Sequence, residues 1–240
     1  MCDRGKTALR NSGKIDSLER KIKKRRYKHI IWDWNGTLFD DAWLCIDVMN
    51  GCLMRRNLPQ LTAERHRKVF QFPVKNYYIN LGFDFGKEPF EVSGTEFIRE
   101  YEKRKFECRL REDAIEVLHE FHKGGIGQSI LSACQQENLN SLVDYWELSI
   151  FFEKLIGLRN HYARGKMGNG LQWIKTWSHN PEEVVLVGDT VHDYEVSVAM
   201  GIDCILIDGG SATRARLVAC EKPVLRHLKD LLNYIEVSKD

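Results

Sequence analysis

Short apolar runs alternate with longer stretches of helical periodicity along most of the chain. Apolar runs bounded by Gly or polar residues are typical of strands that are buried on both faces of a sheet. The pattern predicts strands over 28–34, 126–131, 152–157, 184–187 and 204–207. It predicts helices over 112–122, 137–146, 166–177, 194–200 and 224–237. Because alternating strands and helices form right-handed βαβ units, we expect an α/β fold around a parallel sheet.

Residues 42–109 interrupt this alternation and carry no strand signal. Asp40 and Asp41 precede an apolar pattern that extends to Leu53, which predicts a helix. Further helices are predicted in two pieces within 62–82, broken at 72–73, and over 95–108, after a loop at 83–92. An insertion at the carboxyl edge of a parallel sheet covers that edge and can act as a lid. The predicted fold class is therefore α/β, a Rossmann-like parallel sheet with helices on both faces plus an inserted helical cap domain.

Two of the predicted strands end abruptly in carboxylates. Residues 33–37 read Asp-Trp-Asn-Gly-Thr, and residues 188–193 read Gly-Asp-Thr-Val-His-Asp. Ligands bind at the carboxyl ends of parallel strands, so Asp33, Asp189 and Asp193 are expected to share one anionic pocket. Clustered carboxylates repel one another unless a cation lies between them, and hard oxygen ligands suit Mg²⁺. The sequence therefore predicts a metal-assisted site.

The near-neutral net charge of +2 conceals an asymmetry. Residues 1–28 hold eleven Lys or Arg against three Asp or Glu, and the rest of the chain is acidic. No aromatic residue interleaves the basic run 21–26, which favours a solvated arm over a nucleic-acid contact, although the role of the arm stays open. The predicted organisation is a basic N-terminal arm over 1–26, a core formed by 27–41 and 110–240, and a helical cap over 42–109.

The cellular location follows from the termini and the cysteines. The N-terminus is charged rather than a signal peptide, and no apolar run approaches membrane-spanning length. The seven cysteines are scattered, with no Cys-x-x-Cys pair. They are interpreted as reduced thiols. We therefore expect a cytoplasmic protein with no membrane partner, while the oligomeric state stays open.

Four short motifs appear in the order found in one superfamily. They are 33–37, Ser132 at the end of a predicted strand, Lys166 at the start of a predicted helix, and 188–193. From about residue 27 onward the chain resembles the haloacid dehalogenase superfamily. The resemblance is to its Mg²⁺-dependent phosphatases with a helical C1-type cap, such as phosphoglycolate phosphatase and β-phosphoglucomutase. It implies a phosphoric monoester hydrolase that acts on a small phosphorylated metabolite.

The resemblance also implies roles for the motif residues. Asp33 would be the nucleophile that forms an aspartyl-phosphate, with its charge repulsion screened by Mg²⁺. The metal ligands would be Asp33, the backbone carbonyl of Asn35, and Asp189, with Asp193 nearby. Ser132 and Lys166 would bind the transferring phosphoryl group.

Asn35 departs from the family pattern, which has a catalytic Asp at this position to protonate the leaving group and activate water. An amide cannot exchange that proton, and general acid–base catalysis is typically worth ~10²–10⁴ in rate. Three interpretations follow: a slow or specialised phosphatase, a phosphonatase-like enzyme, or a non-catalytic protein that binds metal and phosphate. We favour the first because the other motif residues are all retained. Asn35→Asp is expected to preserve the fold and to raise kcat on poor leaving groups.

Overall fold

A computed structural model describes residues 24–159, 165–177 and 180–237. Its strands are β1 (His29–Trp32), β2 (Phe39–Asp40), β3 (Arg109–Leu110), β4 (Gly127–Gln135), β5 (Lys154–Leu158), β6 (Val184–Gly188), β7 (Asp203–Ile207) and β8 (Val224–Leu225). Its helices are α1 (Ala42–Met54), α2 (Ala63–Val69), α3 (Val74–Leu81), α4 (Phe90–Arg104), α5 (Ala114–Lys123), α6 (Gln136–Tyr145), α7 (Met167–Ile174), α8 (Val191–Met200), α9 (Arg214–Val218) and α10 (Leu231–Tyr234). Among the described helices, none is long and apolar enough to cross a membrane.

Six strands form one sheet in the order β5-β4-β1-β6-β7-β8. Every neighbouring pair in it is parallel. β1 lies in the middle, with Trp32 opposite Ile130 of β4 on one side and Val187 of β6 on the other. The carboxyl ends of β1 and β6 therefore meet at the same edge of the sheet.

Both faces of this sheet are covered by helices. Ile30 and Trp32 of β1 belong to an apolar cluster that includes Phe121 of α5. Ile31, which points to the opposite face, packs in a second cluster with residues of α7 and α8, including Val196. Since a strand alternates its side chains between faces, a strand buried throughout needs helices on both sides. The α/β fold predicted from the sequence is confirmed.

The helices α1 to α4 lie between the two short strands β2 and β3. These strands pair antiparallel, Phe39 opposite Leu110, so the chain leaves the core and returns to it at one place. The inserted helices have an apolar cluster of their own, which includes Met49, Tyr77 and Phe90. The boundaries 42–109 for the cap stay a prediction, which this paired neck and this separate cluster support.

Helix α2 and the loop that follows it contact the core. Arg216 Nη1 donates to the carbonyl of Phe70 at 2.8 Å, and Arg67 Nε donates to the carbonyl of Gly210 at 3.2 Å. The ring of Phe72 lies 4.6 Å from that of His192 on α8, centre to centre. The cap is thus held over the edge of the sheet where β1 and β6 end.

Three element predictions differ from the structure. Helix α4 begins at Phe90, directly after a proline, rather than at 95. Strand β4 continues to Gln135, with an irregular register beyond Leu131. The helix predicted over 224–237 is wrong, because β8 extends the sheet beside β7 and α10 spans one turn. A short apolar run fits a strand or a helix equally well, and only pairing with β7 decides between them.

Most of the predicted basic arm, residues 1–23, lies outside the described residues. The last three residues of the predicted arm do contact the core. Arg25 forms a parallel bridge with Ile235, and Arg26 forms an ion pair with Glu236 at 2.7 Å. The chain is therefore attached to the core from residue 24, before the predicted boundary.

Candidate active site

Three carboxylates converge at the sheet edge beneath the cap. Asp33 follows β1, and its backbone N–H donates to the carbonyl of Val187 on β6 at 2.8 Å. Asp189 follows β6, and Asp193 lies in the first turn of α8, where it forms a capping box with Thr190. One oxygen from each of the three aspartates lies within 4.8 Å of the others. The structure thus brings together the carboxylates that the two sequence motifs placed at strand ends.

Lys166 lies between two of these carboxylates. Its Nζ is 2.5 Å from Asp33 Oδ1 and 2.5 Å from Asp193 Oδ1, and it donates to the carbonyl of Leu131 at 2.8 Å. Asp33 and Leu131 use two of its three N–H donors, and the contact with Asp193 is an ion pair without hydrogen-bond geometry. In this arrangement Lys166 neutralises carboxylate charge. The phosphate-binding role of Lys166 stays a prediction.

The aspartates differ in their proton affinity. Burial raises the pKa of Asp33 well above its usual range, against the opposing effect of Lys166. Burial, followed by the charge of Asp193, raises the pKa of Asp189 to about 6. The ion pair with Lys166 holds the pKa of Asp193 below its ordinary value despite burial. The raised pKa values of Asp33 and Asp189 therefore indicate that a single ammonium does not fully compensate the burial of three carboxyl groups.

Backbone and hydroxyl donors hold Asp189 in place. Its Oδ2 accepts from the N–H of Ser211 at 2.6 Å, and its Oδ1 accepts from the Thr37 hydroxyl at 2.9 Å. The turn at Gly36 has a φ of +81° and passes so close to Asp189 that a Cβ there would collide with the carboxylate. Gly36 and Thr37 of the first motif thus position the Asp189 carboxylate of the fourth motif.

The carboxylate cluster fits a small divalent cation. All three carboxyl groups are buried. When all three are ionised, they carry two more negative charges than Lys166 can balance. Asp193 Oδ1 accepts no hydrogen bond of normal geometry, although it is in ion-pair contact with Lys166. Hard oxygen donors and uncompensated charge are the conditions that favour Mg²⁺.

Asn35 is surrounded differently from the carboxylates. Its Nδ2 donates to Asp41 Oδ2 at 2.6 Å and lies 3.3 Å from the hydroxyl of Tyr101. Its Oδ1 lies 3.5 Å from the hydroxyl of Ser132. The amide therefore joins a carboxylate on one side to the predicted phosphate-binding serine on the other.

Asp41 is the residue of this site that the sequence did not indicate. It occupies the position of a helix cap directly before α1, but its side chain makes no capping hydrogen bond. Its Oδ2 instead accepts from Asn35 and, at 2.7 Å, from the Tyr101 hydroxyl. Burial raises the pKa of Asp41 even with these donors present. The sequence does carry a hint of this role: Asp40 and Asp41 are adjacent, and one acid suffices to cap a helix, so the second is free for another contact.

A cavity of about 170 Å³ lies between the cap and the carboxylates. Asp33, Asn35, Ser132 and Lys166 line it on the core side, together with Asp193. The cap contributes a wall of aromatic rings, which we call the aromatic wall: Phe70, Phe72, Tyr77, Tyr78, Phe90 and Phe97. Five of the predicted site residues, from four separate segments of the chain, thus face one space, and Asp189 lies beside it.

Comparisons with solved structures agree with this architecture. A haloacid dehalogenase-like hydrolase from Streptococcus pneumoniae has a TM-score of 0.76 at 19% identity, covering 87% of this chain and 98% of that one. A predicted phosphatase from Clostridium acetobutylicum has 0.71 at 14%, covering 86% and 97%. A predicted phosphoglycolate phosphatase from Haemophilus somnus has 0.68 at 16%, covering 86% and 96%. At these identities the shared property is the fold.

The sequence itself was also compared with known proteins. No curated protein sequence matches the chain. The profile of haloacid dehalogenase-like hydrolases matches residues 30–207, which include all four motifs. The resemblance inferred from the motifs is confirmed, and the chain belongs to the haloacid dehalogenase-like hydrolase family.

Proposed function

We propose that the protein is a Mg²⁺-dependent phosphatase that hydrolyses a phosphate monoester through an aspartyl-phosphate on Asp33. The convergence of Asp33, Asp189 and Asp193 within 4.8 Å, beside a buried lysine, is the observation that carries the proposal. A phosphatase needs positioning and charge neutralisation around the phosphoryl group, and this cluster can supply both.

Asp33 would act as the nucleophile. One of its carboxylate oxygens attacks phosphorus, the ester P–O bond breaks, and the leaving alkoxide takes a proton from water, which regains one in the hydrolysis step that follows. Water then attacks the phosphorus of the aspartyl-phosphate, which releases inorganic phosphate and regenerates the carboxylate. Ser132, on the wall of the same cavity, would donate a hydrogen bond to the transferring group.

Asp33, Asp189, Asp193 and the backbone carbonyl of Asn35 would hold the metal. When bound, Mg²⁺ would neutralise the charge that separates a carboxylate nucleophile from an anionic ester. Lys166 keeps Asp33 oriented at 2.5 Å and balances part of the charge of the cluster. The cap covers the cavity with apolar side chains, and an apolar surrounding strengthens these electrostatic interactions.

The test is phosphate release from simple monoesters with Mg²⁺ and with a chelator. We expect turnover that the chelator abolishes and that Mg²⁺ restores. Asp33→Asn should abolish turnover, and Asp189→Ala should reduce it by about 10²-fold or more, since each removes a charged group of the reacting centre. Turnover that persists in a chelator, or in a folded Asp33→Asn variant, would contradict the proposal.

A phosphonatase-like reaction is less well supported. The resemblance implies a cap lysine that forms a Schiff base in that class. Among the described residues that line the cavity, the lysine is Lys166, which belongs to the core and is paired with two carboxylates. Aldehyde formed from a phosphonate substrate would favour this alternative. Binding of metal and phosphate without any turnover would favour the non-catalytic interpretation.

A further inference from the structure

The aromatic wall, opposite the carboxylates, offers little that a polar substrate could bind. Tyr77, Tyr78 and Phe90 are buried, while Phe70, Phe72 and Phe97 are half-buried. Met49, Val74 and Ile98 extend the same apolar surface. A cavity wall of this kind stabilises a ligand by removing apolar area from water.

Several polar groups near this wall already have partners, although Nε2 of His66 is buried without one. The Tyr77 hydroxyl lies 2.8 Å from Nδ1 of His66, and the Tyr101 hydroxyl donates to Asp41. Asn138, on the core side, accepts from Lys105 at 2.7 Å and donates to Glu102 at 2.9 Å. A substrate hydroxyl buried here would lose its hydrogen bonds to water and find few replacements, which is unfavourable.

The cavity also lacks a cation for a second anionic group. Among its described lining residues, Lys166 is the only lysine or arginine, and two carboxylates neutralise its charge. Burial lowers the pKa of His66 to about 4, so its ring is neutral near pH 7. A carboxylate or second phosphate on the substrate would therefore enter a buried space without a counter-ion, at a large desolvation cost.

We infer that the cavity selects phosphate monoesters whose alcohol part is apolar and no larger than a benzene ring. The inference rests on the proposed function for the reacting end and on the aromatic wall for the rest. A cavity of about 150 Å³ with an apolar lining accommodates benzene, and this one measures about 170 Å³. Because the same space also admits the phosphoryl group, a benzene ring is the upper limit for the alcohol part. Phosphoglycolate, with its carboxylate, and hexose phosphates, with their hydroxyls, fit this chemistry poorly.

The experiment compares esters that share a primary-alcohol leaving group. The apolar substrates are benzyl and n-propyl phosphate. The polar substrates are phosphoglycolate and a hexose phosphate esterified at its primary hydroxyl. We expect kcat/KM to be at least about 10-fold higher for benzyl phosphate than for either polar ester, because one methylene in an apolar pocket already gives about 10-fold discrimination. A tenfold preference for a polar ester would overturn the inference and leave the phosphatase proposal intact.

Binding is measured separately by calorimetry with non-hydrolysable analogues. Phenethylphosphonate mimics benzyl phosphate, and phosphonopropionate mimics phosphoglycolate. Tighter binding of the aromatic analogue, without turnover of any ester, would sink the phosphatase proposal and support the apolar cavity. Equal or weaker binding of the aromatic analogue would overturn the cavity inference, whatever the turnover.

A matched pair of variants locates the effect in the cavity. Gly94 on α4 lines the cavity, and a Cβ there makes ordinary contacts of 3.5 Å or more with the Phe90 ring. Gly51 on α1 has similar space but is not among the lining residues. Gly94→Val should lower kcat/KM for benzyl phosphate about 10-fold more than for n-propyl phosphate, and Gly51→Val should not. If both variants act alike, the aromatic part does not occupy this cavity.

Discussion

At the scale of single residues, Asn35 and Asp41 form the least expected part of the site. The family pattern has an acid at position 35, and this chain has an amide whose Nδ2 donates to the buried Asp41 carboxylate at 2.6 Å. A hydrogen bond to a charged group typically contributes about 1.5–3 kcal/mol. The amide at position 35 therefore stabilises the ionised form of a carboxylate that would otherwise be buried with one fewer donor.

This contact changes the expectation for Asn35→Asp. The substitution would place two buried carboxyl groups at hydrogen-bond distance, so it should lower the free energy of unfolding by about 2 kcal/mol near neutral pH. Adding Asp41→Asn restores one acid and one amide, and should recover most of the loss. Urea unfolding of the two single variants and the double variant measures the coupling. Additive effects in the double variant would contradict a direct contact.

Lys166 provides a second residue-scale prediction. Lys166→Met removes the one ammonium among three buried carboxyl groups, which typically costs about 3–5 kcal/mol. Mg²⁺ should recover more stability in this variant than in the wild type, because the cluster is more negative. The measurement is urea unfolding with a chelator and with Mg²⁺.

Lys105 offers the matched control for that experiment. It is also buried, but its Nζ donates to the amide oxygen of Asn138 at 2.7 Å rather than to a carboxylate. Lys105→Met should therefore cost less, about 1–2 kcal/mol, and should not increase the stabilisation by Mg²⁺. Equal losses and equal Mg²⁺ responses in the two variants would show that charge in the cluster is already balanced.

At the scale of elements, helix α2 carries a titratable group inside the cap. His66 is buried, stacks on Phe70 and lies 2.8 Å from the Tyr77 hydroxyl. Burial, with smaller effects of Arg67 and Arg216, lowers its pKa from 6.5 to about 4. The unfolded chain therefore binds more protons than the folded protein between those two values.

As the pH falls from about 7.5 to about 5, His66 should lower the free energy of unfolding by about 2 kcal/mol. The raised pKa values of Asp33 and Asp189 act in the opposite direction, so the effect of His66 is measured as the difference between the wild type and a His66 variant. The buried ring of His66 lowers the free energy of unfolding little above pH 6.5, and progressively more as the pH falls towards 4. His66→Gln should reduce this pH dependence, whereas the same change at the exposed His119 should not. Unfolding free energies of the three proteins at both pH values check this. Identical pH dependence in all three would mean that His66 remains accessible to protons.

At the scale of the whole molecule, the start of the described chain is joined to its end. The backbone N–H of Arg25 donates to the carbonyl of Tyr234 at 3.0 Å, and that of Glu236 donates to the carbonyl of Arg25 at 2.9 Å. The Tyr27 hydroxyl donates to Asp203 at 2.6 Å. The segment 24–27 thus packs against the last described residues and β7, whereas the site residues lie from Asp33 onward.

Two truncations test where the dispensable arm ends. Removal of 1–23 should leave unfolding and turnover of a small phosphate ester nearly unchanged, because this segment precedes the first strand and lacks apolar periodicity. Removal of 1–27 should lower the free energy of unfolding by about 3 kcal/mol, through lost hydrogen bonds and lost burial of Tyr27. Unfolding curves and phosphate release give both results. Loss of turnover in a folded protein lacking 1–23 would show that the arm belongs to the site.

The sequence by itself determined the parallel sheet, because the alternation of apolar runs and amphipathic stretches admits few other arrangements. It also determined that Asp33 and Asp189 meet, since the carboxyl ends of parallel strands lie at one edge. Lys166 and Ser132 were identified through motif order rather than through any local pattern.

The tertiary structure alone decided the contacts that join distant segments. The Tyr101 hydroxyl of α4 donates to Asp41, a residue far from it in sequence, on the same carboxylate oxygen that accepts from Asn35. Strand β8 exists because β7 offers it a free edge, although its apolar residues would equally suit a helix. The aromatic wall forms when α2, α3 and α4 pack over the sheet. These features depend on the relative placement of elements, which hydrophobic periodicity along one segment does not encode.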